Sequence, residues 1–155
     1  MRTTLITSIL TALLLSSMAS ASWTAKRVFD PIKDETPCVL ESTTKTINDG
    51  YQETEIVLRV NDKTLQVATR SNIDPSKGDI SVQVDKKEPI KMDKVYLEQN
   101  VIFEREIATI IKQFIEGLRA TFTLRFWPSY PTTGQKTVTF SLIGFTKAYG
   151  NLPEC

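Results

Sequence analysis

From Trp23 onward, apolar side chains fall mainly at every second position, the repeat of strands with one face buried. A first strand is predicted over Trp23–Phe29, followed by a charged, proline-bounded connection from Pro31 to Pro37. Cys38–Thr46 reads as the next strand, and Asn48-Asp49-Gly50 supplies residues that tolerate a positive φ in a turn. Ile56, Leu58 and Val60 then share one face, with Glu55, Val57 and Arg59 on the other. After a turn at Asn61-Asp62-Lys63, Leu65 and Val67 alternate with Gln66 and Ala68. Loop-forming residues run from Ser71 to Gly78. The cleanest alternation follows, with Ile80, Val82 and Val84 against Asp79, Ser81, Gln83 and Asp85. Asp85–Glu88 closes this strand as a hairpin onto Pro89–Met92, where a proline at the strand start costs no ladder bond.

Between Arg105 and Arg119 the repeat changes to that of a helix. Ile107, Ile110, Ile111, Phe114, Ile115 and Leu118 make one apolar stripe, expected to face the core, and Gly117 marks the helix exit. A long hairpin comes next, with Ala120, Phe122, Leu124 and Phe126 on one arm and Val138, Phe140 and Leu142 on the other. Its connection, Trp127-Pro128-Ser129-Tyr130-Pro131-Thr132-Thr133-Gly134, is too rich in proline to continue a ladder. A short second helix is predicted over Phe145–Tyr149. The pattern is that of a mainly β protein with one amphipathic helix and a short C-terminal one.

The N-terminus changes the picture. Arg2, an apolar stretch over Leu5–Leu15 and the small residues Ala19-Ser20-Ala21 have the layout of a signal peptide, with cleavage expected after Ala21. The stretch is too short and too hydroxylic for a membrane anchor. Residues 22–155 then form a single domain. The whole chain carries 19 basic and 18 acidic residues. Loss of Arg2 balances them, which speaks against nucleic acid or an anionic membrane surface as a partner.

An exported chain meets an oxidising compartment, and its two cysteines, Cys38 and Cys155, are expected to pair. A bridge within one chain would staple the C-terminus to an early strand, whereas a protruding Cys155 would join two chains. With no histidine, the pair is a poor metal site and a nucleophilic triad lacks its usual base. Glu104 and Glu106 are the one carboxylate pair worth weighing as acid and base, and charge at a helix start is the simpler account of them. No catalytic residue, metal or cofactor is therefore assigned.

From Cys38 onward the chain resembles the invasion-associated locus B family of exported bacterial proteins. The resemblance lies in Val82-Gln83-Val84-Asp85-Lys86-Lys87-Glu88-Pro89-Ile90 and above all in Ser141-Leu142-Ile143-Gly144-Phe145-Thr146-Lys147-Ala148. Between them, a helix ending at Gly117 and an aromatic-rich hairpin stand in the family's order. Relatives usually carry a cysteine soon after the N-terminal tryptophan and a close pair before the helix. Here Lys26-Arg27-Val28-Phe29 and Val95–Phe103 hold none, so the family's bridges do not transfer.

The resemblance implies an immunoglobulin-like β-sandwich with a packed helix, periplasmic, secreted or surface-associated, without catalytic residues, and linked in some relatives to host-cell invasion. The leading functional reading is a non-enzymatic binding module that meets another protein of the envelope or host surface. Trp127 and Tyr130 in the proline-rich loop are its candidate contacts, since rigid aromatics give large contact area at small entropic cost. The alternative is an accessory subunit of an envelope-spanning assembly, held by the Asp79–Met92 hairpin with Lys86 and Lys87 at its tip. A hydrolase is the remote alternative.

Overall fold

A computed structural model describes residues 22–31, 33–128 and 133–155, all but the Glu154 side chain. The expected signal peptide and Tyr130 lie outside the described residues. Among the described residues, eleven strands and two helices follow in the order β1 (Trp23–Arg27), β2 (Cys38–Ser42), β3 (Lys45–Asn48), β4 (Glu53–Val60), β5 (Leu65–Thr69), β6 (Ser81–Val84), β7 (Ile90–Lys91), β8 (Lys94–Tyr96), β9 (Asn100–Phe103), α1 (Ile107–Glu116), β10 (Arg119–Leu124), β11 (Lys136–Ser141) and α2 (Phe145–Gly150). A 3-10 turn over Leu152–Glu154 leads to Cys155.

The strands form two antiparallel sheets. One runs β1-β2-β4-β5-β9-β8, and the other runs β11-β10-β6-β7. β2 and β3 occupy successive stretches of the same side of β4, pairing with Arg59–Val60 and with Glu53–Ile56 respectively. The single strand expected over Cys38–Thr46 is thus broken after Ser42. The break leaves the Leu58 N–H without a ladder carbonyl, and the Ser42 hydroxyl accepts it at 3.0 Å. At the β3–β4 turn, the Asp49 carboxylate accepts the N–H groups of Tyr51 and Gln52 and the hydroxyl of Ser71. Burial pushes this carboxyl up, but those hydrogen bonds outweigh it and hold Asp49 below its ordinary range.

Alternation decides what is buried. Ile56, Leu58, Val60, Leu65, Val67, Val101 and Phe103 of the first sheet join Val82, Val84, Phe122, Leu124, Val138 and Phe140 of the second in one apolar cluster. The Phe103 and Phe122 rings meet between the sheets, centroids 6.3 Å apart. Trp23 is the joint with the helices. Its ring stands 5.0 Å from Phe145 of α2 and 6.4 Å from Phe114 of α1, while its indole N–H donates to the Ser141 carbonyl of β11.

The helical stripe requires a correction. Ile110 and Phe114 are fully buried and Ile107 and Ile111 pack partly against the core, but Ile115 and Leu118 are 44% and 67% exposed. The helix ends at Glu116, so Leu118 belongs to an extended segment and no longer follows the helical face. Gly117 does mark the exit, for a reason of space: its φ is −97°, open to any residue. A Cβ there would stand 2.4 Å from Val84 Cγ1 and 2.8 Å from the Gln113 carbonyl oxygen. The close approach lets Asp85 accept the N–H groups of Leu118 and Arg119. Gly117→Ala is expected to lower stability by about 1 to 3 kcal/mol, the usual cost of overpacking, as read by urea denaturation; an unchanged midpoint would show that the β6–β7 turn yields freely.

Candidate docking surface at Trp127

After β5 the chain runs through Asn72–Pro75 between two other segments and is bonded to both. On one side the Ile73 N–H donates to the Glu98 carbonyl at 2.7 Å, next to the turn that joins β8 to β9. On the other, Asp74 N–H donates to the Arg125 carbonyl and Trp127 N–H to the Asn72 carbonyl, at 2.9 and 2.8 Å. Ile73 and Phe126 form a β-bridge between them. This short ladder fastens the end of β10, in the second sheet, to the β8–β9 hairpin of the first. Side chains reinforce it, with Asn72 donating to Glu98 and Gln99 donating to Asn72 and to the Arg70 carbonyl.

The Arg125 guanidinium grips Asp79 through both carboxylate oxygens at 2.6–2.8 Å, and Gln135 adds a further bond. The bond from Arg125 is the main reason that the Asp79 carboxyl stays below its ordinary range, and burial opposes it. Because Arg125 and Asp79 stand at the ends of β10 and β6, this pair fixes the point from which Trp127 projects.

Trp127 is 61% exposed, and Leu97 on the facing hairpin tip is 61% exposed. Together with Ile73, Asp74, Val95 and Glu98 they line an open groove of about 520 Å³. Backbone-held aromatic and aliphatic surface beside carboxylates is suited to seating a side chain of a partner, since little ordering entropy remains to be lost there. Trp127 therefore does not fold back over the core.

Lys86 and Lys87 lie elsewhere. They follow β6 at its far end, so the length of the β6–β10 ladder separates them from Trp127. Lys86 is exposed, whereas Lys87 is half-buried with its ammonium 3.0 Å from Glu116 of α1. β7 is only two residues long and offers a partner little ladder to extend. Glu104 and Glu106 are likewise occupied, Glu104 by Lys94 and Glu106 by the Thr109 hydroxyl. Among the described residues no group of three or more His, Cys, Asp or Glu side chains could hold a metal ion, and no helix is long and apolar enough to cross a membrane. The Cα atoms of Cys38 and Cys155 stand 5.9 Å apart, a separation that a disulfide spans.

Sequence reasoning singled out Trp127 but not Asp74, Leu97 or Glu98. Asp74-Pro75 carries an ordinary turn signature. The β8–β9 turn carries no glycine or asparagine at its centre, although Leu97 and Glu98 both adopt positive φ, 47° and 59°.

These features define a mainly β fold of two antiparallel sheets and two helices, with an exposed aromatic groove and no assembled metal cluster among the described residues. Among solved structures, the chain matches the crystal structure of invasion associated protein B from Bartonella henselae with a TM-score of 0.52. Identity is 13%, over 86% of this chain and 92% of that one. The likeness is one of fold. No family model matches the sequence, and no curated protein matches it.

Proposed function

We propose that the chain is a non-enzymatic, exported binding module of the bacterial envelope, related to the invasion-associated locus B family. In this reading residues 22–155 form one immunoglobulin-like β-sandwich, released by cleavage after Ala21 into the periplasm or beyond and stapled by Cys38–Cys155. The protein meets a partner protein of the envelope or host surface through the Trp127 groove. The observation that carries the reading is a tryptophan left 61% exposed on a platform whose backbone is bonded to both sheets. The fold likeness to an invasion-associated protein supports it.

A photo-reactive phenylalanine analogue at position 127, expressed in the source cell, tests it. A discrete protein adduct is expected at 127, with none when the same analogue replaces Tyr51, an exposed aromatic in the β3–β4 turn. Trp127→Ala should abolish co-purification of the same partner while leaving the unfolding midpoint unchanged. Absence of an adduct at 127 in the folded protein, or an equal adduct at 51, would remove the groove as the docking surface.

A further inference from the structure

Asp74 lies on the floor of the groove and is 4% exposed. Its Oδ1 accepts the Ser76 N–H at 2.9 Å. Its Oδ2 is buried, and among the described residues it has no hydrogen-bond partner. Unserved buried carboxylate oxygens are rare in folded proteins because desolvation without a donor is costly. A second carboxylate, Glu98, stands on the groove wall. The described lining contains no lysine or arginine. Arg125, whose carbonyl holds the Asp74 N–H, has its guanidinium committed to Asp79.

We propose that this groove receives a cationic side chain, an ammonium or guanidinium presented by a basic segment of the partner protein. The inference rests on the reading of the Trp127 surface as the docking site and names the chemistry that the site selects. Three features converge on a cation. The exposed indole presents the negative face of its quadrupole, which attracts cations within about 6 Å. Sheltered carboxylates favour an opposite charge within about 4–6 Å, so the entering group need not touch Oδ2 to be held by Asp74. Ile73, Val95 and Leu97 provide apolar wall for the methylene stem of a lysine or arginine. An apolar side chain would meet the indole and this wall equally well but would leave the buried charge uncompensated. The two carboxylates fall short of a cluster that could hold a metal ion, and none is assembled among the described residues. The groove is open to the surface and Val95 lies on β8, the last strand of its sheet, so a protein segment has room to run past.

Titration of the protein with capped Ala-Arg-Ala, Ala-Lys-Ala and Ala-Gln-Ala, read at the Trp127 indole N–H by NMR, tests the inference. The two cationic peptides should move that resonance with at least tenfold higher affinity than the glutamine peptide, and the difference should shrink as salt is raised. Asp74→Asn keeps an acceptor for the Ser76 N–H and removes the buried charge. It should weaken binding of the arginine peptide at least fivefold without lowering the thermal midpoint. Glu98→Gln, on the exposed wall, should weaken it by a smaller factor and decides the matter if Asp74→Asn fails to fold. Equal affinities for the arginine and glutamine peptides, or an arginine affinity unmoved in folded variants, would overturn the proposal. A cross-link at position 127 that persists alongside such a result would leave the docking reading standing and remove only the cation.

Discussion

Phe114→Ala is expected to lower the free energy of unfolding by about 3 to 5 kcal/mol, the range for truncating a buried aromatic, measured by urea denaturation. Phe114 is fully buried in α1, with its ring 5.3 Å from Phe145 and 6.4 Å from Trp23. The alanine would remove the ring that α1 contributes to a cluster joining β1, α1 and α2. The surrounding strands are held by their ladders and can close little of the resulting space. Ile115→Ala, one position along the same helix, is the matched control: its side chain is exposed at the surface rather than enclosed in the core, and the change should fall within about 0.5 kcal/mol. Equal losses at the two positions would show that the helix is held by something other than this aromatic cluster.

Replacing both cysteines by serine is expected to cost about 4 to 5 kcal/mol on the chain-entropy account, in which the benefit grows with the length of the closed loop. Here the two residues are 117 positions apart in sequence. The 3-10 turn carries the tail back onto β2, with Leu152 packed against the core, and so delivers Cys155 to Cys38. Non-reducing electrophoresis with thiol labelling checks the pairing in the protein isolated from its source cell: a monomer without reactive thiols is expected. A dimer that collapses on reduction would assign Cys155 to a second chain. Reactive thiols on a stable monomer would mean that the core alone sustains the fold.

Where one physical rule governed a segment, its structure could be read in the sequence. β4, β6, β10 and β11 bury alternate side chains because each has one face against the core, and period two expresses that directly. The missed hairpin, β8–β9, is short, three successive residues of β9 are buried so that no alternation marks it, and its turn is held by the ladder to Ile73 rather than by residues that favour positive φ. The break between β2 and β3 was hidden for a related reason, since a serine hydroxyl replaces a ladder carbonyl without altering the apolar pattern. At the groove, a tryptophan among prolines was legible as a rigid projection. The carboxylate beneath it was not, because Asp74 and Trp127 meet only through tertiary pairing of their backbones. Lys86 and Lys87 looked like a free basic tip, and the Glu116 partner of Lys87 comes from a helix that the turn itself does not announce.

The Trp23 joint bears on the order of events during synthesis. The tryptophan belongs to the first strand, yet the groups that enclose it, Phe114, Ser141 and Phe145, come from the last third of the chain, and its hydrogen bond spans 118 positions. Contacts of such separation form late, because the loop must close before they reward it. The N-terminal strand can pair with β2 early, but its tryptophan has nothing to dock against until nearly the whole polypeptide has emerged. Until then the core stays unclosed at the end of the domain that is made first.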